Sequence, residues 1–410
     1  LVTKAEDFGE DGNIRKNLNG RFKLMENIIF PGGGSYTLYP IGSYSTDPTK
    51  NKPFAGIFDG NGKTLSNFSL KAGTNNDENY AGLFAYNTGT IKNLIVDKAK
   101  FEGPTVSYVG IICGYNQGVI SGCEVKNISI NAESYVGGIA GLNTGTITDC
   151  ITSTASGEKI NASANSAGGI AGFNNNGTIS GKTYTTCDVS ASSEAGGLIG
   201  SMTGGTVNGT VNDKIYSSGT VTSSSNFAGG LIGKLESTVN PGTVTISNCS
   251  HTSGDVTGND YVGGLIGHAK NVTIEDCFSA GSITGNNYVG GLIGYVNSNL
   301  QITVNLKKTY ANCGVEGKNY VGGFIGCGSS DSEITIKGKL NNDIYSAGSV
   351  KGSQHVGGFI GAVNKSAELE YCSSSSTVSE NEMFSYPKNI GGLIGYFSKG
   401  AVNNCYSTGS

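Results

Sequence analysis

The chain has no Trp, and only 3 His, 3 Met and 7 Pro in 410 residues. Charged side chains make up 14% of it, against about 25% in an ordinary soluble domain. Each shortage excludes something. The three histidines, His251, His268 and His355, stand in different sequence contexts with no Ser or Cys partner implied, so no nucleophilic triad is indicated. No CxxC or HxxxH spacing occurs, so no metal site is indicated. The 27 Lys and Arg against 31 Asp and Glu leave a net charge of −4, too mild to point to nucleic acid or an anionic membrane. No apolar run reaches the length of about 18 residues that spans a bilayer as a helix. Leu1 is not an initiator Met, which fits a trimmed or mature fragment whose targeting signal lies elsewhere.

What is abundant is Gly, 66 residues of it, and it is concentrated in one recurring phrase. YVGGLIG starts at Tyr261 and again at Tyr288, YVGGFIG at Tyr320, HVGGFIG at His355 and NIGGLIG at Asn389. Looser copies start at Phe54, Tyr80, Tyr108, Tyr135, Ser166, Glu194 and Phe227. The first glycine of the phrase falls at Gly56, Gly82, Gly110, Gly137, Gly168, Gly196, Gly229, Gly263, Gly290, Gly322, Gly357 and Gly391, at spacings of 26 to 35 residues. Self-similarity at about 20–50 residues marks a repeat architecture in which each unit buries its apolar face against its neighbours. Gly, Ser, Thr and Asn interrupt every copy, with Val, Ile and Tyr between them, and no 3.6-residue periodicity supports a helix. The expected fold is all-β: a parallel β-helix or solenoid of about 11–12 coils, right-handed by the usual chirality of parallel crossovers. Within the phrase, alternation sends Val262, Gly264 and Ile266 to one side of a strand and Tyr261, Gly263 and Leu265 to the other.

Residues 1–53 lack the phrase and are expected to cap the open N-terminal end, with residues 54–410 as one continuous repeat domain. Ala5–Phe8, then Ile14 and Leu18 before Gly20, suggest one or two helical turns. A second column follows each phrase: three residues after an apolar position come Leu94, Cys123, Cys150, Cys249, Cys277, Cys372 or Cys405. Phe68, Cys187, Ile215, Thr309 and Ile344 are assigned to the same slot. Its tolerance of Phe, Leu, Ile, Thr and Cys describes a buried stack. Asn67, Asn93, Asn248, Asn404 and Gly122 precede it, residue types that accept a left-handed backbone, so the coil is expected to turn there.

Ten cysteines could form a disulfide framework in an oxidising compartment. Neighbouring rungs such as Cys123/Cys150 and Cys249/Cys277 would lie about 5 Å apart at Cα, within bonding range. A slot shared with Ile and Thr favours reduced, buried thiols instead, with Cys327 expected to be exposed. For glycosidase-type chemistry two carboxylates must converge within about 5–10 Å. Asp149 and Asp276 share a corner slot but stand four coils apart, about 19 Å at the strand spacing. Asp59-Gly60-Asn61-Gly62 resembles part of a calcium loop without its later ligands and is read as a tight turn. The positive signal is aromatic. Tyr216, Phe278, Tyr310, Tyr345 and Tyr406 each follow the ladder position, interrupted by Ser250, Ser373, Glu124 and Asp188. If outward, they form a stripe able to stack on sugar rings or apolar side chains. The bland alternative is that they cover the next coil.

The GG[LF]IG core, repeated over roughly residues 54–410, resembles the GLUG motif, a short glycine-rich repeat of bacterial surface proteins. The opening, with Pro40-Ile41-Gly42 and then Phe54–Leu65, is similar to what precedes such arrays. The resemblance implies a secreted or surface-exposed, non-enzymatic, adhesin-like or spacer module, monomeric, meeting host or neighbouring-cell proteins or glycans, and it supplies no catalytic residue and no cofactor. Similar repeats accompany a zinc protease domain in bacterial immunoglobulin-A peptidases, whose HExxH is absent here. The alternative is a carbohydrate-active β-helix enzyme of the polysaccharide lyase or hydrolase kind.

Overall fold

Short strands separated by left-handed corners build the chain into a parallel β-solenoid of about 11 turns with a short N-terminal helix, 58% strand and 3% helix. The computed structural model describes residues 1–72, 79–238, 244–305, 307–339, 343–381 and 388–409. They fall into two compact units, Leu1–Ala191 with Leu198–Ser201, and Ser192–Gly197 with Met202–Ser410. Among the described residues no helix is long and apolar enough to cross a membrane.

In the first unit, strands Arg21–Lys23, Ile57–Asp59, Thr90–Lys92, Val119–Ser121, Thr146–Thr148 and Thr178–Ser180 pair in parallel as one sheet. Its inward column runs Phe22, Phe58, Ile91, Ile120, Ile147, Ile179. The N-terminal turns Ala5–Phe8 and Asn13–Lys16 bring Phe8 edge-on to Phe30 and Phe58, each at 6.0 Å, so an aromatic plug closes that end of the core. A polar column lies inside this unit as well. Asn87, Asn116, Asn143 and Asn174 are fully buried, and each amide donates to the next side-chain oxygen at 2.8, 2.8 and 2.7 Å. Buried amides are tolerable only when paired in this way.

In the second unit the corresponding strands Val244–Ser247, Val272–Glu275, Leu300–Thr303, Glu333–Lys337 and Ser366–Glu370 carry Ile246, Ile274, Ile302, Ile336 and Leu369 in register. At the fourth position of the strand that follows the phrase, where the first unit has its asparagines, stand Leu235, Ala269, Val296 and Val363, so that column is apolar.

The corners are where residue type matters most. Asn93, Gly122 and Asp149 in the first unit, and Asn248, Asp276, Tyr371 and Asn404 in the second, have φ between 51° and 60°, as the column before the ladder requires. Two sequence assignments to that ladder are corrected. Phe68 pairs with Ala99, and Leu65 with Val96, so Phe68 is buried five places beyond the ladder; Asn67 marks a left-handed bulge shared with Lys98 and Asn127. Cys187 is displaced likewise. Ile151 pairs with Tyr184, and the Cys150 amide donates to the Thr183 hydroxyl at 3.3 Å, so Thr183 is the rung. The corner Gly181-Lys182 holds one extra residue, which shifts the count.

The phrase is also corrected. It is not one strand but a corner between two, Asp260–Gly263 and Ile266–Lys270, and Val262, Leu265 and Ile266 are all fully buried. Each glycine has its own reason. A Cβ on Gly263 would lie 2.0 Å from the Ile266 carbonyl oxygen across the turn, and one on Gly264 would lie 2.0 Å from the Gly291 oxygen of the next coil. The first permits the bend, and the second permits backbone to stack directly on backbone. The Ser two places after the ladder completes the link, since Ser279 Oγ donates to the Gly291 carbonyl at 2.6 Å and Ser346 Oγ to Gly358 at 2.6 Å. The recurrence of Ser two places after the ladder residue, beside GG, is therefore one buried hydrogen bond repeated, with Cys277 or Ile344 on the ladder.

Candidate functional site

After the left-handed corner at Asp276, alternation in strand Phe278–Thr284 turns Cys277 inward, Phe278 outward and Ser279 inward. Repetition in register makes the outward position a column: Tyr216, Ser250, Phe278, Tyr310, Tyr345, Ser373, Tyr406, all in the second unit. The five aromatic residues expected to form a stripe do share one column. Phe278 and Tyr310 stack with centroids 5.0 Å apart and planes within 6°, and Tyr310 and Tyr345 at 5.0 Å within 3°. The rings thus cover their neighbours while keeping their edges half-exposed. Burial raises the phenol pKa of Tyr310 and of Tyr345, the latter also through Tyr310, so the stripe carries no charge at neutral pH. In the first unit the equivalent column holds Glu124, Ile151 and Tyr184, so Tyr184, and not Asp188, belongs to it.

Where the column lacks a ring, the surface is hollow. A cavity of about 480 Å³ opens at Ser250, against Phe278 and Tyr310, with Lys214, Lys307 and Lys308 on its wall. A second of about 340 Å³ lies at Ser373, between Tyr345 and Tyr406. Both volumes fall in the range of about 300–1,000 Å³ typical of small-ligand sites. The end rings of the three-ring stack each lie under an ammonium: Lys214 Nζ is 5.8 Å from the Phe278 centroid and Lys308 Nζ 5.6 Å from that of Tyr345. Lys307 Nζ donates to the Val211 carbonyl at 3.0 Å. Asp276 also lines the larger cavity, but its Oδ1 accepts the backbone N–H of Asn305 and of Lys307, each at 3.0 Å. Its carboxylate is thus engaged in holding the corner. Asp149 does the same in the first unit, accepting the Lys182 N–H at 2.8 Å.

A second aromatic column went unrecognised in the sequence as a stack. Phe227, Tyr261, Tyr288, Tyr320 and His355 open successive phrases with φ of 53–62° and stack at 4.8–5.1 Å, planes within 13°. Tyr80, Tyr108 and Tyr135 do so in the first unit at 4.7 and 4.8 Å. The available signal was the aromatic at the head of most copies. His355 is a packing variant in this column. Tyr261 and Tyr288 also lean over the slot after the phrase, meeting Tyr295 at 5.1 and 5.0 Å. That slot contains Cys327 in the next coil, which corrects its expected exposure. Cys327 is fully buried, accepts from Asn364 Nδ2 at 3.3 Å, and burial pushes its thiol up to about 12.

All ten cysteines are unpaired, nine of them buried. Cys405 is the half-exposed one, and a hydrogen bond with Cys372 pulls its thiol down to about 7. Among the described residues no three His, Cys, Asp or Glu side chains gather closely enough to hold a metal ion. Asp59 caps its tight turn by accepting the Asn61 N–H at 2.9 Å.

No protein-family model matches the sequence, and no curated protein matches it. A solved structure described as a "putative immunoglobulin A1 protease from Bacteroides ovatus" is similar at 16% identity, covering 99% of this chain and 82% of that one, with a TM-score of 0.32. A likeness at that level carries no functional argument.

Proposed function

We propose that the chain is a non-enzymatic binding module of the adhesin type, secreted or displayed on a bacterial cell surface, whose solenoid serves as a rigid scaffold for the ring stripe. The observation that carries this reading is the stack Phe278–Tyr310–Tyr345, parallel at 5.0 Å and flanked by two cavities at the rungs without rings. Aromatic edges and faces held rigid on strands give large contact area at small entropic cost. A repeat scaffold lends itself to an extended recognition surface.

The test is binding of the purified chain to a panel of glycans and extracellular-matrix proteins. Saturable binding that Tyr345→Ala weakens at least tenfold supports the reading. No binding across the panel would reduce the module to a spacer.

A further inference from the structure

We infer that the hollow at Ser250 is a subsite for one carboxylated sugar ring, a pyranose of the uronate or sialate class, which takes the place of the missing rung in the aromatic ladder. The inference rests on the binding function proposed above and assigns its ligand class and position.

Register comes first. Ser250 pairs with Tyr216 on one side and Phe278 on the other, so the rings on either side are two rungs apart. At the 5.0 Å ring spacing of this ladder, two rungs amount to about 10 Å between flanking ring positions. Contact distances of about 3.5–4.0 Å on each side use roughly 7–8 Å of this. Tyr310 fills an equal gap between Phe278 and Tyr345, so the space takes one ring, and a sugar ring is of that size. The cavity at this rung, about 480 Å³, is large enough for a sugar with part of its neighbour in the chain. Phe278 lines it with the Lys214 ammonium 5.8 Å from the ring centroid, an apolar platform for ring C–H groups once that lysine swings aside.

Charge then selects among sugars. Three ammonium groups, those of Lys214, Lys307 and Lys308, line the cavity, and one carboxylate, Asp276. Three lysines against one carboxylate leave the wall net positive; the Asp276 carboxylate is held by two backbone amides and the Lys307 ammonium by the Val211 carbonyl, which leaves Lys214 and Lys308 to meet an occupant. Lys214 lies over the Phe278 face and is exposed at its tip, free to exchange a cation–π contact for an ion pair. A neutral sugar would gain the platform alone, whereas a carboxylated one gains platform and cations together. The smaller hollow at Ser373 repeats the geometry with Lys308 as its lysine, and we assign it as a weaker second subsite of the same kind.

The experiment is calorimetric titration of the full chain at low salt with hexagalacturonate and with 3′-sialyllactose, using cellohexaose and lactose as uncharged counterparts. The expected result is saturable binding of at least one acidic ligand, at least tenfold tighter than its counterpart, that weakens as salt rises. Ser250→Tyr combined with Ser373→Tyr would complete the ladder and reduce affinity at least tenfold. Lys308→Glu, at an exposed position outside the core, would do the same while leaving every ring in place and removing only the ammonium over Tyr345, and so tests the proposal even if the filled ladder misfolds. Wild-type affinity in the folded double variant, or in Lys308→Glu, overturns the inference. Binding of the neutral sugars equal to that of the acidic ones also overturns it but leaves the binding function standing. Silence with every sugar overturns it while matrix-protein binding remains a separate outcome of the earlier panel.

Discussion

Replacing Gly264 by Ala places a Cβ 2.0 Å from the Gly291 carbonyl oxygen and 2.9 Å from the Ser279 Cβ. Neither neighbour is a flexible tip, so the coils must separate by more than about 1 Å to restore an ordinary contact of about 3.5 Å. Three hydrogen bonds hold them at that point: Gly264 N–H to Gly290 at 3.2 Å, Leu265 N–H to Leu292 at 2.8 Å and Ile266 N–H to Leu292 at 3.0 Å. Stretching all three beyond bonding range, at about 1 kcal/mol each, gives a loss of about 3–4 kcal/mol, in the range reserved for named structural lesions. Gly314→Ala is the control. Its Cβ would meet only Ser349 Oγ, at 3.5 Å, and its φ is unexceptional, so stability should change by less than about 1 kcal/mol, in the favourable direction. Urea unfolding followed by circular dichroism distinguishes the two. If Gly264→Ala shifts the midpoint no further than Gly314→Ala does, the stacking argument for the second glycine is wrong.

Ile266→Asp puts a carboxylate into a fully buried column and should split thermal unfolding into two transitions, because solenoid cooperativity passes from coil to coil; one unperturbed transition would contradict that core assignment. Burial, with Lys234 and Lys270 nearby, pushes the His268 imidazole down to about 4 from its usual 6.5, against an opposing pull from Glu236. The folded state thus keeps it neutral, and the stability this contributes, up to about 3 kcal/mol, is present above pH 6.5 and lost as pH falls from there towards 4. Since the buried His251 is shifted the same way, the measurement is the difference from His268→Tyr, the residue that column carries at Tyr295, which should unfold with a shallower pH dependence. Asn143→Leu removes the bond from the Asn116 amide to Asn143 Oδ1 and the bond from the Asn143 amide to Asn174 Oδ1, and should cost about 1–3 kcal/mol in urea unfolding. With its thiol near 7, Cys405 should be the first cysteine alkylated by iodoacetamide at pH 8, slowing below pH 7, while the nine buried thiols react only in denaturant; mass mapping of another cysteine first would refute this.

The parallel solenoid was legible because its period is carried by residues whose reasons are local. Asn248 and Asp276 sit where a left-handed corner is needed, and Ile246 and Ile274 sit three residues before the ladder at a fixed phase. Phe68 and Cys187 were misplaced for one reason: spacing along the chain cannot reveal that Gly181-Lys182 adds a residue at a corner or that Asn67 bulges within a strand. The phrase was misread because period-two alternation assumes one strand, whereas Gly263 and Gly264 bend the chain through a corner. The stripe residues were legible as a column one place after the ladder. The hollows were not, since they depend on Lys214 from one coil and Lys307 and Lys308 from another coming to one wall. The stack headed by Tyr261 was also hidden, because bulky residues rarely take positive φ and nothing local signals that they do so here.

The columns also differ in how a gap is tolerated, and that difference separates structural variation from functional variation. Inside, Ile266 and Cys277 are fully buried, as are their neighbours in the adjoining coils, Ile232 and Ile293, Cys249 and Thr309. A missing side chain there leaves a void that costs about 2–5 kcal/mol, so these positions keep a side chain, as where Thr309 stands in for Cys277 in the next coil. Outside, a missing ring exposes its neighbours' faces to water and to a lysine, and forgoes only a stacking contact of about 0.5–1.5 kcal/mol. Stability alone would favour filling Ser250 and Ser373, since Phe278, Tyr310 and Tyr345 show that rings fit this column at 5.0 Å. The chain instead leaves both rungs open, and each is a cavity with lysine at its wall. Giving up an available contact at these two recessed rungs, where Ser250 is 2% and Ser373 4% exposed, is the pattern expected where recognition, rather than folding, sets the residue.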